Sequence, residues 1–327
     1  MGKNVKRIIY LFLAIILAFQ PQTVLADDPK IALLYDLGGK FDKSFNEAAY
    51  KGAAAFEEAT GITYKDFEPV SEAQMEQAVK RFARRGYDLI IAIGISYATP
   101  LTKVAEEFPD VRFTVIDSHV DLPNVQSVSF KEHEGSYLVG IIAAMATQTQ
   151  KIGFIGGMDI PLIRKFATGY VQGAQAINPE IEIIQNMVGA SPTAWNDPVR
   201  GGELARNQFA RGADVIFSAA GPTGFGVIQA AKETDNFAIG VDSNQNHIAP
   251  GYVLTSMLKR VDQAVERAML GAMDGTWHSG IEVLGLSDGG VDYALDEYNQ
   301  HLITPLMRAR VEEARAKISS GEVVVSE

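Results

Sequence analysis

The side chains of this sequence with the most chemical capacity stand where apolar runs give way to polar loops. After Ile31–Tyr35 come Asp36, Asp42, Ser44, Phe45 and Asn46, which supply two carboxylates, a hydroxyl, an aromatic ring and an amide. Asp117 closes the run Arg112-Phe-Thr-Val-Ile. Trp195 stands in the loop Gly189-Ala-Ser-Pro-Thr-Ala-Trp-Asn-Asp-Pro, Gly221 in Ala219-Ala-Gly-Pro-Thr-Gly-Phe-Gly, and Asp242 opens Asp-Ser-Asn-Gln-Asn. Lys259 follows the run Leu254-Thr-Ser-Met-Leu. These groups can hold a molecule. A carboxylate can bridge two vicinal hydroxyls, bare amides at a helix start can take a ligand oxygen, and an aromatic ring offers a stacking face.

The combinations that would transform a molecule are missing. There is no cysteine, so thiolate nucleophiles, thiolate metal sites and disulfides are excluded. His119, His133, His247, His278 and His301 are scattered without metal-ligand spacing and read as surface residues. Gly153-Phe-Ile-Gly156-Gly157 lacks the dinucleotide spacing, and neither a phosphate loop of the G-x-x-x-x-G-K-[ST] type nor a G-x-S-x-G elbow occurs. Neither a catalytic residue, a cofactor nor a metal is expected.

The elements that must position these groups alternate. Ile31–Tyr35 reads as a strand covered on both faces, and from Phe45 the apolar residues Ala48, Ala49, Gly52, Ala53 and Phe56 recur at helix spacing. Ser71 with Gln74 resembles a capping box for a second helix. Asp88–Gly94 and Arg112–Asp117 are further strands about the helical stretch Thr99–Phe108, and Asn124–Phe130 is either an edge strand or a connection. After a buried helix near Glu132–Gln148 the alternation restarts at Lys151 and continues to Val241. Tyr252–Thr255 reads as a short strand, Ser256–Met273 as a helix that returns to the first half, and Thr304–Ser319 as a tail helix. The expected fold is α/β, with two similar doubly wound parallel-sheet lobes joined by a hinge. The first lobe takes residues 28–128 plus about 256–285, the second 129–253 plus about 286–327. In such sheets the loops at the carboxyl ends of the strands line the ligand crevice, so the loop residues above form the two halves of a small-molecule clamp.

Residues 1–26 read as a cleaved secretory signal: Lys3, Lys6 and Arg7, an apolar run Ile8–Phe19, then Val24-Leu-Ala26. Without a cysteine to carry lipid, the product is expected free in the periplasm and not as a lipoprotein. Beyond Ala26 stand 26 basic and 40 acidic residues, a formal charge of −14, which repels nucleic acid and anionic lipid.

Read one at a time, these residues also have structural roles. Ser44 or Asp42 caps a helix, Phe45 is a core residue and Asn46 is solvated; Trp195 is either a lid or a stacking platform. Gly221 makes a tight turn, Asp242 caps the next segment, and Lys259, on the returning helix, is a solvated charge.

The segments Asp42-Lys-Ser-Phe-Asn46, Lys151–Met158, Gly212–Gly224, Ile239–Gln245 and Leu254–Lys259, in this order along nearly the whole mature chain, resemble the basic membrane protein family. These are purine-nucleoside substrate-binding proteins of ABC transporters, with a periplasmic binding protein type I fold. The resemblance implies a nucleoside held between the lobes, with Phe45 and Trp195 stacked on the base. Relatives often have Phe at the latter position. It implies Asn46 and Asp117 at the base edge, and the Gly221 backbone, Asp242 and Lys259 on the ribose; Asn244 stands where relatives commonly have Asp. Asp36 and Asp42 complete the expected ligand-binding set. The expected partner beyond the ligand is a membrane permease, docked peripherally by a monomeric receptor. Two other functions fit the same clamp: presentation of the ligand to a membrane receptor kinase, and, less well, nucleoside hydrolysis.

Overall fold

Strand, loop and helix alternate as the apolar spacing requires, and the computed structural model describes residues 28–327. The signal reading of residues 1–26 lies outside them. β1 (Ile31–Leu34), α1 (Phe45–Thr60), β2 (Tyr64–Phe67), α2 (Ala73–Arg84), β3 (Leu89–Ile93), α3 (Ala98–Glu107), β4 (Arg112–Ile116) and β5 (Val125–Phe130) build the first half. α4 (Glu132–Ala146), β6 (Lys151–Met158), α5 (Pro161–Ile177), β7 (Glu182–Gly189), α6 (Pro198–Ala210), β8 (Val215–Ala219), α7 (Gly224–Glu233), β9 (Phe237–Asp242) and β10 (Val253–Lys259) build the second. α8 (Val261–Asp274), β11 (Gly280–Leu284), β12 (Val291–Tyr293) and α9 (Pro305–Ser319) follow. No helix among the described residues is long and apolar enough to cross a membrane.

The two sheets have one plan. The first runs β11-β5-β4-β3-β1-β2, the second β12-β10-β9-β8-β6-β7, and every pairing is parallel except that of β12 with β10. Alternate residues of the central strands serve opposite faces, as the pleat demands: Ile31 and Leu33 pack with α1 and α8, Ala32 and Leu34 with α2 and α3. In the second sheet Phe154 faces α5 and Ile155 faces α6 and α7. This is the two-lobed α/β architecture that the alternation predicts.

Among the described residues the chain passes between the sheets three times: from β5 into α4, from β10 into α8, and from β11 to β12. α8 is pulled tightly onto α1 because Gly52 lets the helices touch, and a Cβ there would run into the backbone carbonyl of Asp262.

Four local expectations change. Ser256–Lys259 is not helical: β10 continues to Lys259, held by β9 on one side and β12 on the other, so α8 and the return to the first lobe begin about five residues later than the sequence suggests. Residues 124–130 are neither an edge nor a plain connection, since β11 pairs outside β5 and makes it internal. α2 starts at Ala73 behind Glu72 and makes no side-chain capping bond; Gln74 accepts instead from the Val70 N–H. Four histidines are exposed as expected, whereas His133 is buried in the first turn of α4.

Candidate ligand cleft between the lobes

Local chemistry fixes the loop after β1. Both oxygens of Asp42 accept backbone N–H groups at the start of α1, from Ser44 (2.8 Å), Glu47 (3.0 Å) and Asn46 (3.0 Å), so this carboxylate caps the helix. The Asn46 side chain is not solvated: it accepts from the Asp36 N–H (3.0 Å) and donates to the carbonyls of Asp36 (3.3 Å) and Gly39 (3.2 Å). Burial pushes Asp36 up to about 7, against the Leu37 N–H bond that favours its charge, and pushes Asp42 up to about 6 against its three N–H donors.

That shift carries a stability consequence. A carboxyl whose folded pKa lies above its unfolded value costs stability progressively as pH climbs from about 4 to about 7, and the cost is complete above that window. Asp36→Asn is therefore expected to stabilise the fold by about 1–2 kcal/mol at pH 8 and by nothing measurable at pH 4. Urea titrations at both pH values check this; equal gains would reject the burial argument.

Lys259 is the centre of the seam. It ends β10, is 2% exposed, and its Nζ lies 2.5 Å from Asp117 Oδ2 and 2.9 Å from Glu132 Oε1. The reading of Lys259 as a solvated charge on a helix is thereby corrected. Burial alone would lower its pKa, but Asp117, Glu132 and Asp242 outweigh burial and hold it well above the ordinary lysine value. Burial raises Glu132 to about 7 despite the pull of Lys259, and raises Asp242 as well. The ammonium also lies 5.3, 5.1 and 5.7 Å from the ring centroids of Phe45, Phe130 and Phe166. Asp117 directly follows β4 and Asp242 ends β9, the corresponding strands of the two sheets, and both turn with a left-handed backbone, φ 66° and 63°. Strain of this kind persists where the surroundings over-determine it.

One cleft gathers the groups singled out in the sequence. Asp36, Asp42, Phe45, Asn46 and Asp117 line it from the first lobe; Trp195, Gly221, Asp242 and Lys259 line it from the second. It holds about 670 Å³ of space not filled by protein, part of it open to solvent. Trp195 ends a short 3-10 turn, Pro192–Trp195, and its indole lies over Gly157, where a Cβ would collide with the ring. Gly221 turns with φ 56° between β8 and α7. Asn244 does not line the cleft, and its amide donates to Asp296 Oδ2 at 2.6 Å.

Leu162, Ile163 and Phe166 of α5 also line the cleft, and Glu132 backs it; neither set was singled out. The first three look like any apolar helix face, and only their place just after a strand end marks them. Glu132 follows β5 at the start of a helix, which is the same signal.

Residues 29–326 match the family described as "ABC transporter substrate-binding protein PnrA-like". The chain belongs to the Bmp family. It is thus an ABC transporter substrate-binding protein, of a family that binds substrates rather than converts them. A solved ABC transporter system solute-binding protein from Aeropyrum pernix K1 matches this Bmp protein with a TM-score of 0.84 and 31% identity, covering 91% of this chain and 94% of that one. An ABC transporter nucleoside-binding protein of Lactococcus lactis is 32% identical over 91% of this chain and 89% of its own. An uncharacterised lipoprotein of Pyrococcus horikoshii is 35% identical over 81% of this chain and 68% of its own.

The last comparison overturns the expectation of an unanchored, non-lipoprotein product, since relatives from three Pyrococcus species are named lipoproteins. The lack of a cysteine spoke against one chemical linkage to lipid; it carried no information about location.

Proposed function

We propose that this Bmp protein captures a nucleoside, a purine nucleoside in first place, between its lobes and delivers it intact to the permease of an ABC importer. The observation that carries this reading is the composition of the cleft: an aromatic ring from each lobe, Phe45 and Trp195, with carboxylates around a single lysine. Among the described residues lining the cleft Lys259 is the one cation, and its charge faces Asp117 and Glu132. No cation is left over for a phosphate, whereas a flat base suits the rings and ribose hydroxyls suit the acceptors. Phe45 and Trp195 stack on the base, Asp117 meets its edge, and the Gly221 backbone, Asp242 and Lys259 hold the ribose. Asn46, with its amide engaged by the loop, positions Asp36 and Phe45 at the base. The acidic surface keeps nucleic acid away, and the receptor works as a monomer.

A thermal-shift panel of nucleosides, nucleotides, free bases and sugars tests the class, because a ligand bound only by the folded chain raises its melting temperature. Purine nucleosides are expected to raise it and their monophosphates to leave it unchanged; a sugar that stabilises while every nucleoside fails sinks the proposal. Asp242→Ala is expected to weaken binding of inosine roughly tenfold more than binding of its 2′,3′-dideoxy analogue, the loss of one ligand hydrogen bond to a charged group. Equal losses by calorimetry would remove Asp242 from the ribose.

A further inference from the structure

The loop after β9 reaches across the mouth of the cleft. Ser44 Oγ donates to Asp242 Oδ2 at 2.6 Å, Ser243 Oγ donates to the Ser44 carbonyl at 2.7 Å, and Gln245 Nε2 donates to the Lys43 carbonyl at 3.0 Å. Three bonds thus join residues 43–44 of one lobe to residues 242–245 of the other. Ser44, Ser243 and Gln245 are buried, and none of them lines the cleft.

The loop is braced from behind as well. Gln245 Oε1 accepts from the Val241 N–H and the Gln245 N–H donates to Ser256 Oγ, both at 3.0 Å, while Asn244 and Asn246 donate to Asp296 Oδ2 at 2.6 and 3.2 Å. Lys43 and Asp242, one on each side of the contact, both hold a left-handed backbone. Asp242 and Ser243 reach forward, Asn244 and Asn246 reach back, and Gln245 does both, so the segment is held on its own lobe while it grips the other.

We propose that residues 242–245 are a latch, and that Ser44 and Gln245 set how long a bound molecule is retained without touching it. The proposal rests on the reading of the cleft as the ligand site. Asp242 couples the two events: it lines the cleft, and its Oδ2 takes the Ser44 hydroxyl. A ligand hydroxyl bound to this carboxylate fixes it in the orientation that receives Ser44, so occupancy favours closure. Opening must break the three crossing bonds together with the longer contact from Ser44 Oγ to the Val241 carbonyl (3.4 Å), whereas entry into the open form meets none of them, so the latch acts on departure.

The test uses the full chain with inosine as probe. Ser44→Ala and Gln245→Ala are each expected to speed dissociation about tenfold in stopped flow, with association within twofold and the ranking of inosine, guanosine and adenosine unchanged. The absence of native cysteine allows nitroxide labels at Val70→Cys and Val199→Cys, exposed positions on opposite lobes. Both latch variants are expected to move the label separations toward longer distances. Unchanged dissociation with unchanged separations overturns the latch. A wild-type chain that binds no nucleoside would instead overturn the ligand assignment, and the separations in ligand-free protein would still decide the latch: a distribution the variants do not shift rejects it.

Discussion

Lys259→Met is expected to destabilise the protein by about 3–5 kcal/mol at pH 8, the range for removing one partner of a buried ion pair. Methionine fills most of the space, so packing changes little; the damage is electrostatic. Asp117 and Glu132 would share a site from which water is excluded, and Asp242 would lose its compensating charge. Protonation offers relief. Glu132 sits near pH 7 even beside the lysine, and without it the value moves higher, so the loss shrinks as pH falls below about 7. Urea denaturation at pH 8 and pH 5 reads both parts. Adding Glu132→Gln to Lys259→Met is expected to recover part of the stability at pH 8, because it removes one of the stranded charges. A double variant no better than the single one would show that packing, not charge, makes Lys259 necessary.

Phe45→Ala and Trp195→Ala are each expected to weaken nucleoside binding by about 1–3 kcal/mol, the range for losing an aromatic partner of a base. Gly157→Ala gives a sharper check. It removes no aromatic side chain yet adds a methyl group where the indole of Trp195 lies, so the ring must shift. A stacking platform moved out of plane loses affinity although its chemistry is intact, and a weakening of roughly tenfold is expected by calorimetry. Unchanged affinity in both alanine variants would remove stacking as the basis of recognition.

The alternation of strands and helices was legible because each central strand is a short apolar run bounded by polar loops, and each helix carries an apolar stripe at its own period. The loops at the strand ends followed from that, which is why Asp36, Phe45, Asp117, Trp195 and Asp242 were found together. The boundary at Ser256–Lys259 was not legible. Met257, Val261, Ala264, Val265 and Ala268 fit one helical stripe, and neither glycine nor proline interrupts them; a β-ladder with β12, encoded more than thirty residues later, decides for strand. The fate of Lys259 was hidden for a related reason. A lysine is buried only when charges elsewhere compensate it, and here those belong to Asp117 and Glu132, far away along the chain. The latch was half visible: the polar run Asp242–Asn246 stood out, but nothing local says which of its side chains face forward.

The crossing of the chain between sheets has a consequence for how the molecule is made. The first sheet is completed by β11, and about 150 residues separate β5 from that last strand. A growing polypeptide therefore carries the bare flank of β5 through production of the whole intervening lobe, and an open flank of this kind invites pairing with other chains. A fragment ended near residue 260 inherits the same defect permanently, so shortened versions intended to isolate the front lobe are expected to self-associate unless residues 280–284 are supplied.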